Sequence, residues 1–379
     1  MDINVAIFIT ALAIFWIVVY ALYRDKKGKV EVHLGYIIAR AGLSLEPMDE
    51  GVKARLWRLF GWISLFILIL AGVAFYYYTF NLFILRYINP PPCTGSVVGF
   101  VPFIPGVTMS LEATIYILIT LGIAALVHEM AHAYVARAVG LKIKDSGIAF
   151  FLFIPGAFVE PDEEELDKAP TKKKLLVFSA GVGANTILAI IALFLAGAMV
   201  SGAVISGVAH NSPAELAGLE PGMKIISING TKVENVGDVI KILESMGVQD
   251  PAKTVTIEFL VEKDGVTSTI IVHRPGNETA GECVRGRIGI TLENAYWPSK
   301  ELGILVNFLF LINISLAIIN AAPLVLPLPG GSIFADGAYV LKELLQRFMS
   351  EKTATITTIA VGSGTLLLVI SLMSLQRIM

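Results

Sequence analysis

The stretch LEATIYILITLGIAALVHEMAH, residues 111–132, decides how the rest of the chain is read. The run Leu111 to Val127 is apolar enough to enter a membrane, and it ends in His128-Glu129-Met130-Ala131-His132. On a helix four residues turn through roughly 400°, so His128 and His132 stack on one face and can share a metal ion. Glu129 stands one position round, as a carboxylate that does not bind the metal and can take a proton from water. The bland alternative is a histidine pair that only ends a helix near a membrane surface. Two of the five histidines fall on one turn of an apolar helix, and ionisable groups in such a segment are costly to keep without a role.

The surrounding composition agrees. Across 379 residues the chain is 55% hydrophobic and 16% charged, with a mean hydropathy of +0.73. Those values point to a polytopic α-helical membrane protein. A net charge of -2, with basic residues in short loops, argues against nucleic acid as a partner. Cys93 and Cys283 match no metal or redox spacing and read as free thiols, with a disulfide as the alternative if both face outside. The first apolar segment lacks a basic leader and a small-residue cleavage site, so it reads as a retained helix.

In chain order, residues 3–22 form a first span, and the loop after it carries Arg24, Lys26, Lys27, Lys29, Arg40, Lys53, Arg55 and Arg58. By the positive-inside rule that loop is cytoplasmic. Residues 59–85 lead outward to a proline-rich turn at Pro90-Pro91-Pro92, and the segment from Leu111 returns, placing His128 and His132 near the cytosol. Residues 141–161, broken by Pro155-Gly156, are too short to span and read as a membrane-associated β-hairpin or a re-entrant element. Residues 175–199, the uncharged run 302–335 and residues 353–375 supply further spans, about six in all, in an integral protein of the cell membrane. The uncharged run is too long for one straight helix, and Pro323, Pro327 and Pro329 mark where it bends or breaks. Asp336 ends that run at the cytoplasmic side, where it can be a third ligand beside His128 and His132 or the N-cap of a following amphipathic helix.

Between the fourth and fifth spans the pattern changes. Residues 203–292 are a β-rich domain, with alternation such as Thr254-Val255-Thr256-Ile257-Glu258-Phe259 and turns at Asn229-Gly230 and Asp264-Gly265. Asn211-Ser212-Pro213-Ala214-Glu215-Leu216-Ala217-Gly218-Leu219-Glu220-Pro221-Gly222 onward resembles the PDZ domains of membrane and periplasmic proteases. The resemblance implies that an extended peptide or a C-terminus can bind by strand addition, with Arg287-Ile288-Gly289-Ile290 as the binding loop. A domain that only plugs or orients is the alternative. Topology expects it on the outside, the face of the membrane opposite the cytoplasm. The expected segments are thus 1–110 (two helices and a cytoplasmic loop), 111–202 (first part of the catalytic core), 203–292 (PDZ), 293–350 (second part of the core) and 351–379 (last helix).

His128-Glu129-Met130-Ala131-His132, Ser179-Ala180-Gly181-Val182-Gly183-Ala184-Asn185 and Asn320-Ala321-Ala322-Pro323 followed by Asp336-Gly337 together resemble the site-2 protease family of intramembrane zinc metalloproteases, over residues 111–349. Carried over, the resemblance implies one Zn2+ per chain held by His128, His132 and Asp336. It implies Glu129 as the residue that activates water, and Asn185 as a support for substrate or the developing oxyanion. It also implies substrates that are transmembrane-helix proteins, with the hairpin of residues 150–159 clamping them as an added strand. Simple packing of that hairpin against helices is the other possibility. One departure stands out: the linker from Pro323 to Asp336 is longer and richer in Pro and Gly than the family pattern, and Ala335 replaces a leucine. The competing classes are a non-catalytic PDZ-bearing scaffold with structural zinc, and a transporter, which the absence of an internal repeat disfavours.

Overall fold

The computed structural model describes residues 3–23, 28–33, 35–90, 99–105, 108–246, 254–274, 288–328 and 331–373. The chain divides into two compact units, one made of Met1–Pro90, Val97–Ala192 and Phe308–Met379, the other centred on Leu193–Asn307. Among the described residues five helices are long and apolar enough to cross a membrane: Val52–Ile88, Leu111–Ala138, Thr171–Met199, Lys300–Ala321 and Glu351–Ser371.

The first unit opens with α1 (Ile3–Tyr23), 21 residues long and apolar throughout, at the position of the first expected span. The segment expected to be a plain cytoplasmic loop instead contains a hairpin, β1 (Val30–His33) and β2 (Tyr36–Arg40). α2 (Val52–Phe83) continues as a π turn to Ile88. α3 (Leu111–Ala138) is started by Ser110, whose Oγ accepts from the Ala113 N–H at 3.0 Å. β3 (Ile143–Phe151) and β4 (Ile154–Pro161) form the expected hairpin. Its partner was hidden in the sequence: β2 pairs along β3, giving an antiparallel sheet in the order β1-β2-β3-β4. Arg40 ties it together, reaching Glu160 of β4 at 2.9 Å and Glu31 of β1 at 3.0 Å. A short α4 (Glu163–Lys168) leads to α5 (Thr171–Met199).

Small residues let these helices approach. Ala131, Val135 and Ala136 of α3 and Leu176, Val177 and Ala180 of α5 form one buried cluster, with Ile143 of β3 beneath them. Trp57 of α2 stacks on Tyr134 of α3 at 4.7 Å. Large side chains point the other way, with Phe66 and Val73 of α2 63% and 64% exposed. An apolar outside around a small-residue inside is the arrangement that lipid favours and water does not.

The second unit holds β5 (Val200–Val208), α6 (Pro213–Leu216), β6 (Lys224–Ile228), β7 (Thr231–Lys232), α7 (Val236–Ser245), β8 (Val255–Lys263), β9 (Val266–Arg274) and β10 (Ile290–Tyr296). The sheet runs β10-β5-β6-β8-β9, with β7 paired to β6. Ile205, Ile225, Ile228, Ile257, Phe259 and Val261 alternate inward to make its core. The chain then passes through α8 (Lys300–Ala321). The long uncharged run breaks after Ala321 as its prolines require, into β11 (Val325–Leu328) and β12 (Gly331–Phe334), and ends in α9 (Asp336–Leu345) and α10 (Glu351–Ser371). The extra linker length is therefore a small hairpin. Cys93, Cys283 and Arg287 lie outside the described residues.

Candidate metal centre

α3 presents His128 and His132 one turn apart, their Nε2 atoms 3.1 Å from each other. Asp336, the first residue of α9, closes the group, with Oδ2 3.3 Å from His128 Nε2 and Oδ1 3.5 Å from His132 Nε2. One ligand atom from each of the three residues can be chosen so that all lie within 4.8 Å of one another, which makes them a group able to hold a metal ion. His33, His210 and His273 take no part: the first stacks on Tyr36, and the other two belong to the second unit.

Asp336 arrives by way of the β11–β12 hairpin. The Ala335 N–H donates to the Leu324 carbonyl at 3.0 Å, which brings the end of the hairpin back to its start. Gly337 then lies against the end of α8, where a Cβ would overlap the Ala321 carbonyl. The N-cap of α9 is Ala335 and makes no side-chain cap, so the Asp336 carboxylate is not spent as a helix cap. It points into the group instead.

The surroundings fit a cation. The His132 Nδ1–H donates to the Val177 carbonyl of α5 at 2.7 Å, which leaves the Nε2 lone pair facing the centre. Asp336 Oδ2 is buried without a hydrogen bond. Two ring nitrogens and a carboxylate turned toward a common point, with an orphaned oxygen among them, repel one another unless something positive lies between. The donor set of two imidazoles and one carboxylate suits zinc with an open fourth position.

Asn185 sits behind His128, not in an open space facing it. It is wholly buried, and its amide lies 3.2 Å from His128 Nδ1. Its Oδ1 is buried without a partner. A half-turn of the amide sets that oxygen on a His128 Nδ1–H and frees the Nε2 lone pair for a metal. Gly181, one turn earlier, is where the His128 ring lies against α5, and a Cβ there would overlap the ring. Glu129 is half-buried, and its Oε2 accepts from the Val159 N–H of β4 at 3.0 Å.

Two participants escaped the sequence reading. The Val177 carbonyl and the Val159 N–H are main-chain groups that any residue would supply, so no residue type signals them. Gly181 belongs to the glycine-and-asparagine motif already quoted from residues 179–185, and what the structure adds is the close approach it permits one turn before Asn185. A cavity of about 460 Å³ in the second unit, lined by Pro213, Leu216, Ile271 and His273 among others, contains none of the metal-centre residues.

Residues 116–369 match the model of Peptidase family M50. The chain is 28% identical to an uncharacterized protein of Methanocaldococcus jannaschii over 93% of its own length and 90% of the relative's. It is 29% identical to a membrane-bound transcription factor site-2 protease homolog of Arabidopsis thaliana over 39% of this chain and 30% of that one. It is also 26% identical, over 43% of this chain and 54% of the relative, to a protein of Mesorhizobium japonicum whose name marks it as a candidate zinc metalloprotease. The match thus spans less than a third of the Arabidopsis protein and about half of the Mesorhizobium one.

Proposed function

The chain belongs to peptidase family M50, the site-2 protease family, and is a zinc metalloprotease of the membrane; from that premise we propose that it hydrolyses a peptide bond within or beside a transmembrane helix of a protein substrate. The observation that carries this reading is the position of His128 and His132 on α3, a helix of membrane-crossing length and apolarity, with Asp336 beside them.

In this reading zinc is held by His128, His132 and Asp336, and what the ion supplies when bound is Lewis acidity toward the scissile carbonyl and toward water. Glu129 takes a proton from the attacking water at a carboxylate oxygen. It later returns that proton to the nitrogen of the leaving amine, so the base becomes the acid. His132 is oriented by the Val177 carbonyl and His128 by Asn185. We therefore read Asn185 as acting through the His128 ring; its burial behind that ring favours this over direct donation to the oxyanion. The sheet β1-β2-β3-β4 is a natural receiver for an unwound substrate segment, because strand addition satisfies main-chain groups that lipid cannot.

We read α1 as a sixth span beside the five long helices, and the basic residues Arg55, Arg58, Lys172 and Lys173 support the reading that this end of the bundle faces the cytoplasm. The second unit is read as a PDZ domain whose binding strand comes late in the chain. In its support, β10 pairs with the early strand β5 and is the edge of the sheet.

The test is turnover of a transmembrane peptide in detergent by the full chain. Glu129→Gln is expected to retain zinc and lose cleavage. Undiminished turnover in that variant would sink the role of Glu129, whereas no cleavage by the parent chain would sink the proposal and leave the zinc-bearing scaffold standing.

A further inference from the structure

The hairpin β3–β4 carries no titratable group that contacts the histidine pair, yet one of its main-chain groups reaches the residue beside them. The Val159 N–H donates to Glu129 Oε2 at 3.0 Å, and among the described residues this is the hydrogen bond made to that carboxylate. A carboxylate one residue along from a metal ligand has rotational freedom about several bonds. A single fixed donor on one oxygen removes much of it.

The strand geometry shows why Val159 is free to do this. In β3 the Ser146 carbonyl accepts from Ala41 N–H at 2.7 Å, on the side away from β4. Within one residue of a strand the N–H and C=O point the same way, so the Ser146–Val159 pair is of the non-hydrogen-bonded kind. Val159 therefore turns its main chain away from the sheet and toward α3. By the two-residue period Ala157 and Pro155 do likewise. Pro155 is a residue that loses nothing at such a position, having no N–H to offer. It lies along α3 beside Gly122, within 3.8 Å of where a Cβ would stand. Pro155 to Val159 covers about 13 Å of strand and Gly122 to Glu129 about 10 Å of helix, so strand and helix run side by side. The spacing brings the fifth residue of that stretch to Glu129.

We propose that the Val159 main-chain N–H is a positioning group that holds Glu129 Oε2 and leaves Oε1 as the atom that takes the proton from water. This rests on the reading of Glu129 as the base. The proton balance is that of the proposed reaction: a water O–H bond breaks, an Oε1–H bond forms, and the proton then passes to the amine nitrogen as the C–N bond breaks. The hairpin that would receive substrate is thus also the element that aims the base. A shift of β4 changes both together, so the enzyme is fully competent only with the hairpin seated.

The experiment replaces the Val159 amide with an ester, by incorporating the matching α-hydroxy acid in the full chain, and sets it beside Val159→Pro and Glu129→Gln. The ester keeps the side chain and removes the Val159 donor, while the Phe158 carbonyl stays in the β3 ladder as a weaker acceptor. Expected is a fall in kcat of ~10-fold to 100-fold, the size seen for groups that orient metal-site residues, with KM and zinc stoichiometry unchanged. Val159→Pro should do the same, because a proline at an outward-facing edge position breaks no ladder bond. If the proline variant loses zinc as well, the ester alone decides. An ester variant with unchanged kcat, or one altered only in KM, overturns the inference. Glu129→Gln separates the two levels: full turnover there removes Glu129 as the base, on which the inference rests, whereas a dead Glu129→Gln with a fully active ester removes only the role of Val159.

Discussion

Gly181→Ala puts one methyl group between α5 and the His128 ring, and its consequences can be worked from the geometry. An ideal Cβ at Gly181 overlaps Cε1, Nε2 and Nδ1 of His128, so the ring must retreat by about 1 Å to recover ordinary contact. Zinc–ligand distances tolerate about 0.2 Å. The displacement therefore exceeds the tolerance severalfold, and His128 is lost as a good ligand. The same motion pulls the ring from Asn185, now 3.2 Å away. Zinc affinity should drop at least ~10-fold to 100-fold, equivalent to about 1.4 to 2.7 kcal/mol, with proteolysis falling in parallel at limiting zinc. Gly183 supplies the comparison. Two residues along α5 it faces about 200° away, and a Cβ there meets Ser64 of α2, its Cα included. Gly183→Ala should cost ~1–3 kcal/mol of stability through overpacking while the folded fraction binds zinc normally. The assay is competition for zinc against a chelator, read beside thermal unfolding. A Gly181→Ala protein with zinc affinity within twofold of the parent refutes the argument.

Gly337→Ala should remove zinc altogether, because its Cβ would overlap the Ala321 carbonyl and crowd that of Ala322, and main chain cannot swing aside as a side chain does; metal content of the purified protein checks this. Lys174 of α5 and Glu343 of α9 form an ion pair at 3.3 Å with side chains 13% and 7% exposed. Glu343→Gln should lower stability by ~3 kcal/mol by leaving a buried charge unpaired, and Lys174→Met with Glu343→Leu should recover most of it, as read by denaturation in detergent. Trp16 is 3% exposed and donates from Nε1 to the Leu152 carbonyl at the tip of the β3–β4 hairpin, at 3.0 Å. Trp16→Phe should cost about 1 kcal/mol and speed hydrogen exchange at the hairpin tip. Unchanged exchange there would show that α1 does not hold it.

The membrane character and the identity of the metal group were legible from residues 111–132 and 302–336 because each rests on local chemistry. Apolar length declares a membrane helix wherever it is found. Two histidines four apart meet on one face whatever surrounds them. The same locality explains the failures. The β1–β2 hairpin was invisible because its pairing partner, β3, lies about a hundred residues away, and the charges around it read as a plain loop. The β11–β12 hairpin hid in an uncharged run whose prolines announced a break without saying what filled it.

Which residues surround the pair was decided only in three dimensions. A sequence can nominate Asp336 and Asn185 by type, but whether Asp336 caps a helix or enters the centre depends on the return of a hairpin and on Gly337 meeting Ala321. Whether Asn185 faces an open space or backs onto His128 depends on how closely α5 approaches α3, and the absent side chain of Gly181 permits that approach. The groups that orient His132 and Glu129 are a carbonyl and an amide of the main chain, present at every position and so marked at none. Residues 111–132 set out by themselves a helix for a membrane with two histidines on one face. The packing of α5, β4 and α9 around that helix determined which way each of its polar atoms points.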